Sequence, residues 1–169
     1  MKSKVLIIGS TGLLGHQVYN YLKDNDDYNL YNIAYRKKNE EDTILLDARD
    51  EHNLIKQITN ISPQYIINCI GVLVNGSDKN PENAIFLNSY IPHRLARLAN
   101  KINSKLIHIS TDCVFSGDKN ESYVEDDEKD GRGVYAKTKG LGEVINNQHL
   151  TLRTSIVGPE LKSDGEALF

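Results

Sequence analysis

Tyr135 and Lys139 are the residues whose types and spacing most directly suggest chemistry. The surrounding sequence predicts a helix over residues 135–146, and positions four apart lie on the same face of a helix. A neighbouring ammonium favours the phenolate form and lowers the pKa of a tyrosine toward the working range. Such a tyrosine can donate a proton to a carbonyl oxygen while hydride arrives at the carbonyl carbon, which is the chemistry of a reductase.

A hydroxyl group precedes this pair along the chain. Thr111 lies between Ser110 and Asp112, just after a predicted strand. A hydroxyl at that point can donate a hydrogen bond to the oxygen on which charge develops. The tyrosine–lysine spacing alone often occurs by chance, and only its combination with this hydroxyl and with a glycine turn near the N-terminus favours a catalytic set.

Short apolar segments alternate with amphipathic ones along the chain, as in a parallel sheet connected by helices. The predicted strands cover residues 5–8, 30–35, 43–46, 65–70, 105–109 and 150–157. Helices are predicted to begin near Leu14, Leu54, Ala84 and Tyr135, Pro92 should kink or divide the third, and residues 116–133 form a loop. We expect an α/β fold, a Rossmann-type doubly wound parallel sheet of six strands in the order 3-2-1-4-5-6 with helices on both faces.

Three glycines follow the first predicted strand and open the first predicted helix. Glycines there allow a tight turn and let a pyrophosphate approach backbone N–H groups at the start of the helix. The spacing is G-x-x-G-x-x-G, with a serine where the commonest dinucleotide fingerprint has its second glycine. We therefore predict a dinucleotide site in this turn, whose residues are Gly9, Ser10, Thr11, Gly12, Leu13, Leu14 and Gly15.

Cofactor preference is predicted from the residues after the second and third strands. Arg36 and Lys37, followed by Lys38, would suit the 2′-phosphate of NADP, whereas an NAD site usually places an acid there. NAD stays an alternative, since a basic run is often an ordinary solvated loop. Asp47 either accepts a hydrogen bond from the adenine amino group or is a plain turn residue.

These segments together resemble the extended short-chain dehydrogenase/reductase superfamily, and within it most closely the dTDP-4-dehydrorhamnose reductases. The similarity covers nearly the whole chain, and its most family-specific part is residues 110–115, Ser-Thr-Asp-Cys-Val-Phe. The other matching segments are residues 9–15, 68–71, Asn88, 108–109, 135–139, Gly142 with Glu143, and 152–154. One departure is Cys113, which replaces the usual tyrosine of the family.

The resemblance implies roles for individual residues. Thr111 would be the catalytic hydroxyl, Tyr135 the proton donor, and Lys139 the cation that tunes Tyr135 and binds the cofactor ribose. Further cofactor contacts would come from Asp47, Ala48, Cys69, Ile70 and Gly71, and substrate contacts from Asp112, Cys113 and Val114. The implied reaction is hydride transfer from NADPH to the 4-keto group of a dTDP- or UDP-linked 6-deoxysugar, a precursor of bacterial surface polysaccharides.

Two other functions stay open. A sugar-nucleotide epimerase or dehydratase uses the same fold and catalytic residues but regenerates its cofactor in each cycle. A non-catalytic subunit, comparable to the regulatory β subunit of methionine adenosyltransferase, would bind a nucleotide without chemistry. A dehydratase would need a glutamate after Asp112, where this chain has Cys113, and the complete set of catalytic residues argues against a purely regulatory role.

Composition argues against several other classes. The chain has 169 residues, with 20 Lys and Arg against 23 Asp and Glu, and its net charge of −3 argues against a nucleic-acid-binding surface. Apolar stretches fall short of the ~20 residues that a membrane helix needs, so we expect a cytoplasmic protein without a membrane partner. Two cysteines and five scattered histidines predict neither a disulfide framework nor a metal site.

The catalytic set is complete by Lys139, so we expect residues 1–157 to form the NADP-binding domain with the catalytic residues. Residues 158–169 end in an apolar pattern and are expected to begin a substrate-binding region of a longer protein. On this interpretation the 169-residue chain binds NADP but reduces sugar nucleotides poorly, and its uncovered apolar face favours a homo-oligomer.

Overall fold

The computed structural model describes residues 2–38 and 40–158. Its strands are β1 (Ser3–Ile8), β2 (Tyr28–Ala34), β3 (Ile44–Leu45), β4 (Tyr65–Asn68), β5 (Lys105–Ile109) and β6 (Leu150–Leu152). Its α-helices are α1 (Gly15–Lys23), α2 (Glu51–Ile61), α3 (Val74–Lys79), α4 (Pro81–Ala84), α5 (Ile91–Lys101) and α6 (Gly133–Gly142). A π-helical segment, Ile85–Tyr90, lies between α4 and α5, and a 3₁₀ turn, Asp112–Val114, follows β5.

The strands form one parallel sheet, whose order confirms the prediction. Within the described residues it has six strands in the order β3-β2-β1-β4-β5-β6, and each neighbouring pair is parallel. The chain moves outward from β1 to β3 and then returns to the other side of β1 through β4. Strand order therefore reverses between β1 and β4, and ligands of doubly wound sheets bind beyond the carboxyl ends of the strands at this point.

One face of the sheet carries the main apolar core. Leu6, Ile66 and Leu106 are paired across β1, β4 and β5 and are fully buried. They belong to one cluster with apolar residues of α2 and α5. The continuous apolar runs of these strands are expected, because helices cover a parallel sheet on its two faces.

The opposite face is covered less completely toward β6. A row of paired residues, Ile7, Ile67, Ile107 and Leu150, crosses this face from β1 to β6. Ile7 is fully buried, Ile67 and Ile107 are half-buried, and Leu150 is 44% exposed. Burial on this face therefore decreases from the centre of the sheet to its edge.

The sixth strand forms as predicted, but it is shorter than the predicted range of residues 150–157. β6 ends at Leu152 instead of at residue 157. The side chain of the next residue, Arg153, donates two hydrogen bonds to the carboxylate of Glu143, and residues 153–157 are not in a strand. The predicted start of a substrate-binding region, residues 158–169, lies outside the described residues except for Gly158.

The boundaries of α6 also differ from the prediction. The helix begins at Gly133 and ends at Gly142, and Glu143 already has an extended backbone. The sequence pattern does not predict α3, because its six residues are mostly polar. In the described part of the chain, none of these helices combines the length and the apolar character that a bilayer-spanning segment needs.

The predicted kink or division of the long helix at Pro92 takes the form of a change in helix type, because the chain stays helical from residue 81 to residue 101 with a π-helical segment just before Pro92. Proline has no N–H, so the carbonyl of Asn88, four residues earlier, loses its α-helical partner. The chain accommodates this loss by winding as a π-helix over Ile85–Tyr90, after which the N–H of Ile91 donates to the carbonyl of Phe86. The carbonyl of Asn88 in this segment lies against α6 at Gly142.

Gly142 lies where α6 contacts the π-helical segment. A Cβ atom there would overlap the carbonyl oxygen of Asn88, so α6 and the π-helical segment can touch only where a side chain is absent. Gly140, on the same helix, differs in this respect. A Cβ atom at Gly140 would meet nothing closer than 3.6 Å.

Gly142→Ala should lower the free energy of unfolding by about 2 kcal/mol, as is typical when an added methyl group overfills a packed contact. Gly140→Ala is the matched control and should be neutral or stabilise by up to about 1 kcal/mol, because alanine favours a helix over glycine. Urea unfolding followed by circular dichroism compares the two variants. Equal stabilities would show that α6 can move away from Asn88 without cost.

Candidate active site

The glycine turn connects β1 to α1 at the carboxyl edge of the sheet. Gly9 has a φ of 88°, and a Cβ atom at Gly15 would overlap the carbonyl oxygen of Gly9, so both positions require glycine. Ser10 replaces the second glycine of the common fingerprint without obstructing the turn. Its buried side chain points toward β2 and donates to Asn32 Oδ1 at 2.9 Å.

Backbone donors of this turn are available to a ligand. Within residues 2–38 and 40–158, the N–H groups of Thr11, Leu13 and Leu14 make no hydrogen bond to the protein. These groups lie at the start of α1, where the helix dipole also favours an anion. The arrangement fits the predicted pyrophosphate site.

Lys139 is buried where the ends of β4 and β5 meet α6. Its Nζ donates to the carbonyl oxygen of Ile109, the last residue of β5, at 2.6 Å. A Cβ atom at Gly71 would lie 4.0 Å from the same Nζ, so the ammonium also faces the segment after β4. Burial lowers the pKa of Lys139 to about 8, and the negative charge of Glu143 acts against this effect. At neutral pH the side chain is therefore still mostly charged.

Asn88 ties the segment after β4 to α6. Its Oδ1 accepts a hydrogen bond from the N–H of Val72 at 2.8 Å, and its Nδ2 donates to the carbonyl of Val72 at 3.0 Å. The same Nδ2 donates to Thr138 Oγ1 at 3.1 Å. This buried side chain thus holds Gly71 beside Lys139.

Two groups close to Lys139 are uncharged at neutral pH. Burial raises the pKa of the Cys69 thiol to about 12, although the charge of Lys139 acts in the opposite direction. Burial lowers the pKa of His108 to about 3, and its Nδ1 lies 3.1 Å from Asn68 Nδ2. The predicted cofactor contact of Cys69 would therefore come from a neutral thiol or from the backbone.

Thr111 ends β5 and begins the 3₁₀ turn. It is buried, and its Oγ1 accepts the N–H of Cys113 at 3.2 Å. The hydroxyl donates to Asp112 Oδ1 at 3.3 Å. A hydrogen bond from Ser155 to Asp112 keeps the pKa of that carboxyl below its usual value, so the acceptor stays ionised. Thr111 must exchange its bond to Asp112 before it can donate to a substrate.

The predicted substrate residues differ in exposure. Asp112 and Cys113 are exposed, whereas Val114 is 1% exposed and packs against Gly140 of α6. Any substrate contact of Val114 would have to come from its backbone, whose carbonyl already accepts the N–H of Gly131. The substrate roles of these three residues stay predictions.

Tyr135 lies one helical turn before Lys139 on α6. The helix includes both residues, so they share one face as the spacing predicts. Tyr135 is half-buried, and its carbonyl accepts the hydroxyl of Thr138 at 3.0 Å. The catalytic role of Tyr135 stays a prediction.

A buried ion pair connects the elements around these residues. Glu143, directly after α6, accepts hydrogen bonds from Arg153 Nε and Nη2 and from Ser110 Oγ, each at 2.8 Å. Lys129 Nζ lies 3.3 Å from the same carboxylate. Burial alone would raise the pKa of Glu143, but these partners outweigh burial and hold the pKa below its usual value. Glu143 belongs to the segments that resemble the family, yet nothing in the sequence pattern indicates its partners.

The loop before α6 is attached to the same ion pair. It has no helix or strand between residues 116 and 132, as predicted. The ring of Tyr123 stacks on Phe115 with centroids 4.4 Å apart, and the guanidinium of Arg153 lies 4.9 Å from the Phe115 ring centre. Arg153 Nη1 also donates to the carbonyl of Glu125 at 2.9 Å. The chain between Thr111 and α6 is thus held in place by side chains.

The residues predicted to recognise adenosine and a 2′-phosphate lie after β2 and β3. Arg36 and Lys37 are exposed, and Ala48 is buried. Asp47 forms a two-point ion pair with Arg49, with an Nη2–Oδ2 distance of 2.5 Å. The hydrogen bonds from Arg49 keep the pKa of Asp47 below its usual value. The role of Arg49 is not predicted from the sequence, where its only signal is an arginine two positions after an aspartate that follows β3.

NMR titration of isotope-labelled lysine side chains should find Lys139 with a pKa near 8, well below its ordinary value of 10.5. The Lys139 signal is identified by its absence in Lys139→Met. In Glu143→Gln the pKa should fall further, because the negative charge that favours the ammonium is removed. A pKa near the ordinary value in the parent protein would contradict the burial of this ammonium.

Comparisons with known proteins agree with this geometry. The RmlD substrate binding domain family matches residues 3–164. The spore coat polysaccharide biosynthesis protein SpsK of Bacillus subtilis is 30% identical over 144 residues, which cover 85% of this chain and 48% of that protein. The methionine adenosyltransferase 2 subunit beta of Bos taurus is 34% identical over 143 residues, which cover 83% of this chain and 41% of that protein.

A solved structure, the dTDP-4-dehydrorhamnose reductase of Bacillus anthracis in complex with NADP, superposes with a TM-score of 0.79 at 28% identity. The superposition covers 90% of this chain and 53% of that structure. The chain thus spans about half the length of the relatives that it matches. Since the family match extends over nearly all of its residues, this chain belongs to the RmlD substrate-binding domain family, within the extended short-chain dehydrogenase/reductase superfamily.

Proposed function

We propose that this chain is the cofactor-binding and catalytic portion of an NADPH-dependent reductase that acts on the 4-keto group of a nucleotide-linked 6-deoxysugar. The observation that carries the proposal is the buried ammonium of Lys139, one helical turn after Tyr135 and at the end of β5. The relatives named as a dTDP-4-dehydrorhamnose reductase and as a polysaccharide biosynthesis protein support it. The proposal includes a dTDP- or UDP-linked substrate and a cytoplasmic location.

The residues present fit a dinucleotide. The unbonded N–H groups of the glycine turn would hold the pyrophosphate, and Arg36 would lie near a 2′-phosphate. The ammonium of Lys139, which lies beside Gly71, would donate to the hydroxyls of the ribose next to the nicotinamide. When bound, NADPH supplies the hydride.

The residues of this chain would supply the proton and the positioning. Tyr135 would donate its phenolic proton to the oxygen of the keto group, and the charge of Lys139 would stabilise the phenolate left behind. Thr111 would donate a hydrogen bond to the same oxygen after leaving Asp112. The ion pair of Glu143 would keep the end of β5 at a constant distance from α6.

We also propose that residues 1–157 form the NADP-binding domain and that the segment from residue 158 leads into a substrate-binding region. Two observations support this division. The relatives are about twice as long as this chain. On the sheet face that carries Ile107, burial decreases toward the exposed Leu150 and Leu152, which would suit a further covering element. Without such a cover a site cannot exclude water or hold a sugar in reacting geometry.

A regulatory, non-catalytic subunit is the second candidate, and the similarity to the methionine adenosyltransferase subunit favours it. An epimerase remains the alternative within the same enzyme class. Absorbance of NADPH separates the three functions. A reductase consumes NADPH in proportion to a 4-keto sugar nucleotide, an epimerase converts the sugar without net consumption, and a regulatory subunit does neither.

Tyr135→Phe should leave NADPH binding nearly unchanged and should reduce NADPH oxidation by about 100-fold or more, the usual contribution of a general acid. Fluorescence of NADPH measures binding, and its absorbance with a dTDP-4-keto-6-deoxysugar measures turnover. We expect low turnover in the 169-residue chain, so the comparison also uses a form extended to the length of the relatives. Activity of the variant within a few-fold of the parent would contradict the role of Tyr135.

Arg36→Ala combined with Lys37→Ala should weaken NADP binding much more than NAD binding. Each charge-assisted hydrogen bond lost from a 2′-phosphate should cost about 1.5–3 kcal/mol. Isothermal titration calorimetry with both nucleotides measures the difference. Lys38→Ala is the control, because the Nζ of Lys38 donates to the carbonyl of Glu41 at 3.0 Å. Equal losses for NADP and NAD would show that this basic run is an ordinary surface loop.

A further inference from the structure

We infer that Arg49 is a second phosphate-binding cation at the adenosine end of the cofactor site, and that its pairing with Asp47 determines a preference for NADP over NAD. The inference rests on the proposed NADP-dependent function. It concerns a residue after β3, whereas the basic run considered above follows β2.

Hydrogen bonds place this region directly beside the glycine turn. The carbonyl of Ile33 in β2 accepts the N–H groups of Gly9 at 2.9 Å and Ser10 at 3.1 Å. The N–H of Leu46, just after β3, donates to the carbonyl of Ala34 at 2.8 Å. Residues after β2 and β3 therefore border the space where the adenosine ribose lies in a doubly wound sheet.

Tyr35 brings together two guanidinium groups from different strand ends. The Cζ atoms of Arg36 and Arg49 lie 5.1 Å and 5.6 Å from the centre of the Tyr35 ring, within the range of cation–π attraction. Arg49 Nη2 also donates to the Tyr35 hydroxyl at 3.0 Å. One aromatic ring thus positions both cations before a ligand arrives.

Both guanidinium groups have N–H groups that are available to a ligand. Arg49 uses Nε and Nη2 on Asp47 and Tyr35. In the described part of the chain, Arg49 Nη1 makes no hydrogen bond, and the Arg36 guanidinium makes neither a hydrogen bond nor an ion pair. The side chain of Arg49 is 50% exposed, so a ligand can reach it. Planar guanidinium groups with unused N–H groups are well suited to phosphate oxygens.

The charge of Arg49 matters for cofactor choice because it neutralises the carboxylate of Asp47. An unpaired carboxylate at this place would repel the 2′-phosphate dianion of NADP, whereas NAD carries a neutral 2′-hydroxyl there and would not be repelled. Arg49 occupies both oxygens of Asp47 and offsets its charge. Loss of Arg49 would leave Asp47 facing the phosphate, so binding of NADP and of NAD should change in different ways.

The test is calorimetric titration of the 169-residue chain with NADP, NAD, adenosine 2′,5′-bisphosphate and ADP. In Arg49→Gln the Kd for NADP and for the bisphosphate should rise by about tenfold or more, as expected for the loss of one charge-assisted hydrogen bond. The Kd for NAD and for ADP should stay unchanged or fall, which also shows that the variant is folded. Arg97→Gln, an exposed arginine of α5, is the matched control and should bind all four like the parent.

Tyr35→Phe provides a second variant, since it keeps the ring but removes the hydroxyl that binds Arg49. Its Kd for NADP should rise by about threefold, with NAD unchanged, because one positioning hydrogen bond of Arg49 is lost while the ring and the ion pair with Asp47 remain. The inference fails if Arg49→Gln leaves NADP binding within twofold of the parent, or if NADP and NAD weaken equally. In either case the proposed NADP-dependent function still stands, provided that the parent protein binds NADP. Failure of the parent to bind either dinucleotide would overturn both.

Discussion

The burial of the Lys139 ammonium is the constraint on which the rest of the site depends. Removing a charged amine from water costs several kcal/mol unless polar groups and an opposite charge replace the solvent. The carbonyl of Ile109 provides the hydrogen bond, and the nearby carboxylate of Glu143 provides the charge. Lys139 can therefore stay charged only if the end of β5, the helix α6 and Glu143 keep their relative positions.

The crossing of α6 with the π-helical segment maintains these positions. Pro92 forces the wider turn, Asn88 in that turn binds Val72, and Gly142 lets the two backbones touch. The ion pair of Glu143 with Arg153 then attaches the end of α6 to the residue after β6. Two independent contacts thus define where α6 lies, and α6 determines where the phenol and the ammonium lie.

The two ends of the proposed cofactor site differ in what determines the behaviour of their charged groups, which is burial at one end and ion pairing at the other. At the catalytic end burial dominates, so it shifts the pKa values of Lys139 and Cys69 far from their ordinary values. At the adenosine end the charged groups are more exposed and are controlled by pairing, as in Asp47 with Arg49. A charge substitution should therefore change proton affinity at the first end and ligand selectivity at the second.

The sequence by itself determined the parts of this protein that follow from local patterns. Apolar runs and helical spacing predict a parallel sheet, and the Rossmann-type fold that they indicate supplies its strand order. The glycine spacing predicts the turn, and the absence of an N–H in Pro92 predicts an irregularity in the long helix. The shared face of Tyr135 and Lys139 follows from positions four apart, and the resemblance to a known family names the reaction class.

Only the tertiary structure decided which charged groups meet. Glu143 is bound by Ser110 and Arg153, which are 33 and 10 positions away, and Arg49 binds Tyr35 from 14 positions away. Local patterns report how the backbone winds and which face is buried, because both depend on neighbouring residues. The partner of a charged side chain depends on the path of the whole chain, since two charges interact strongly only after folding has brought them together and removed the water between them.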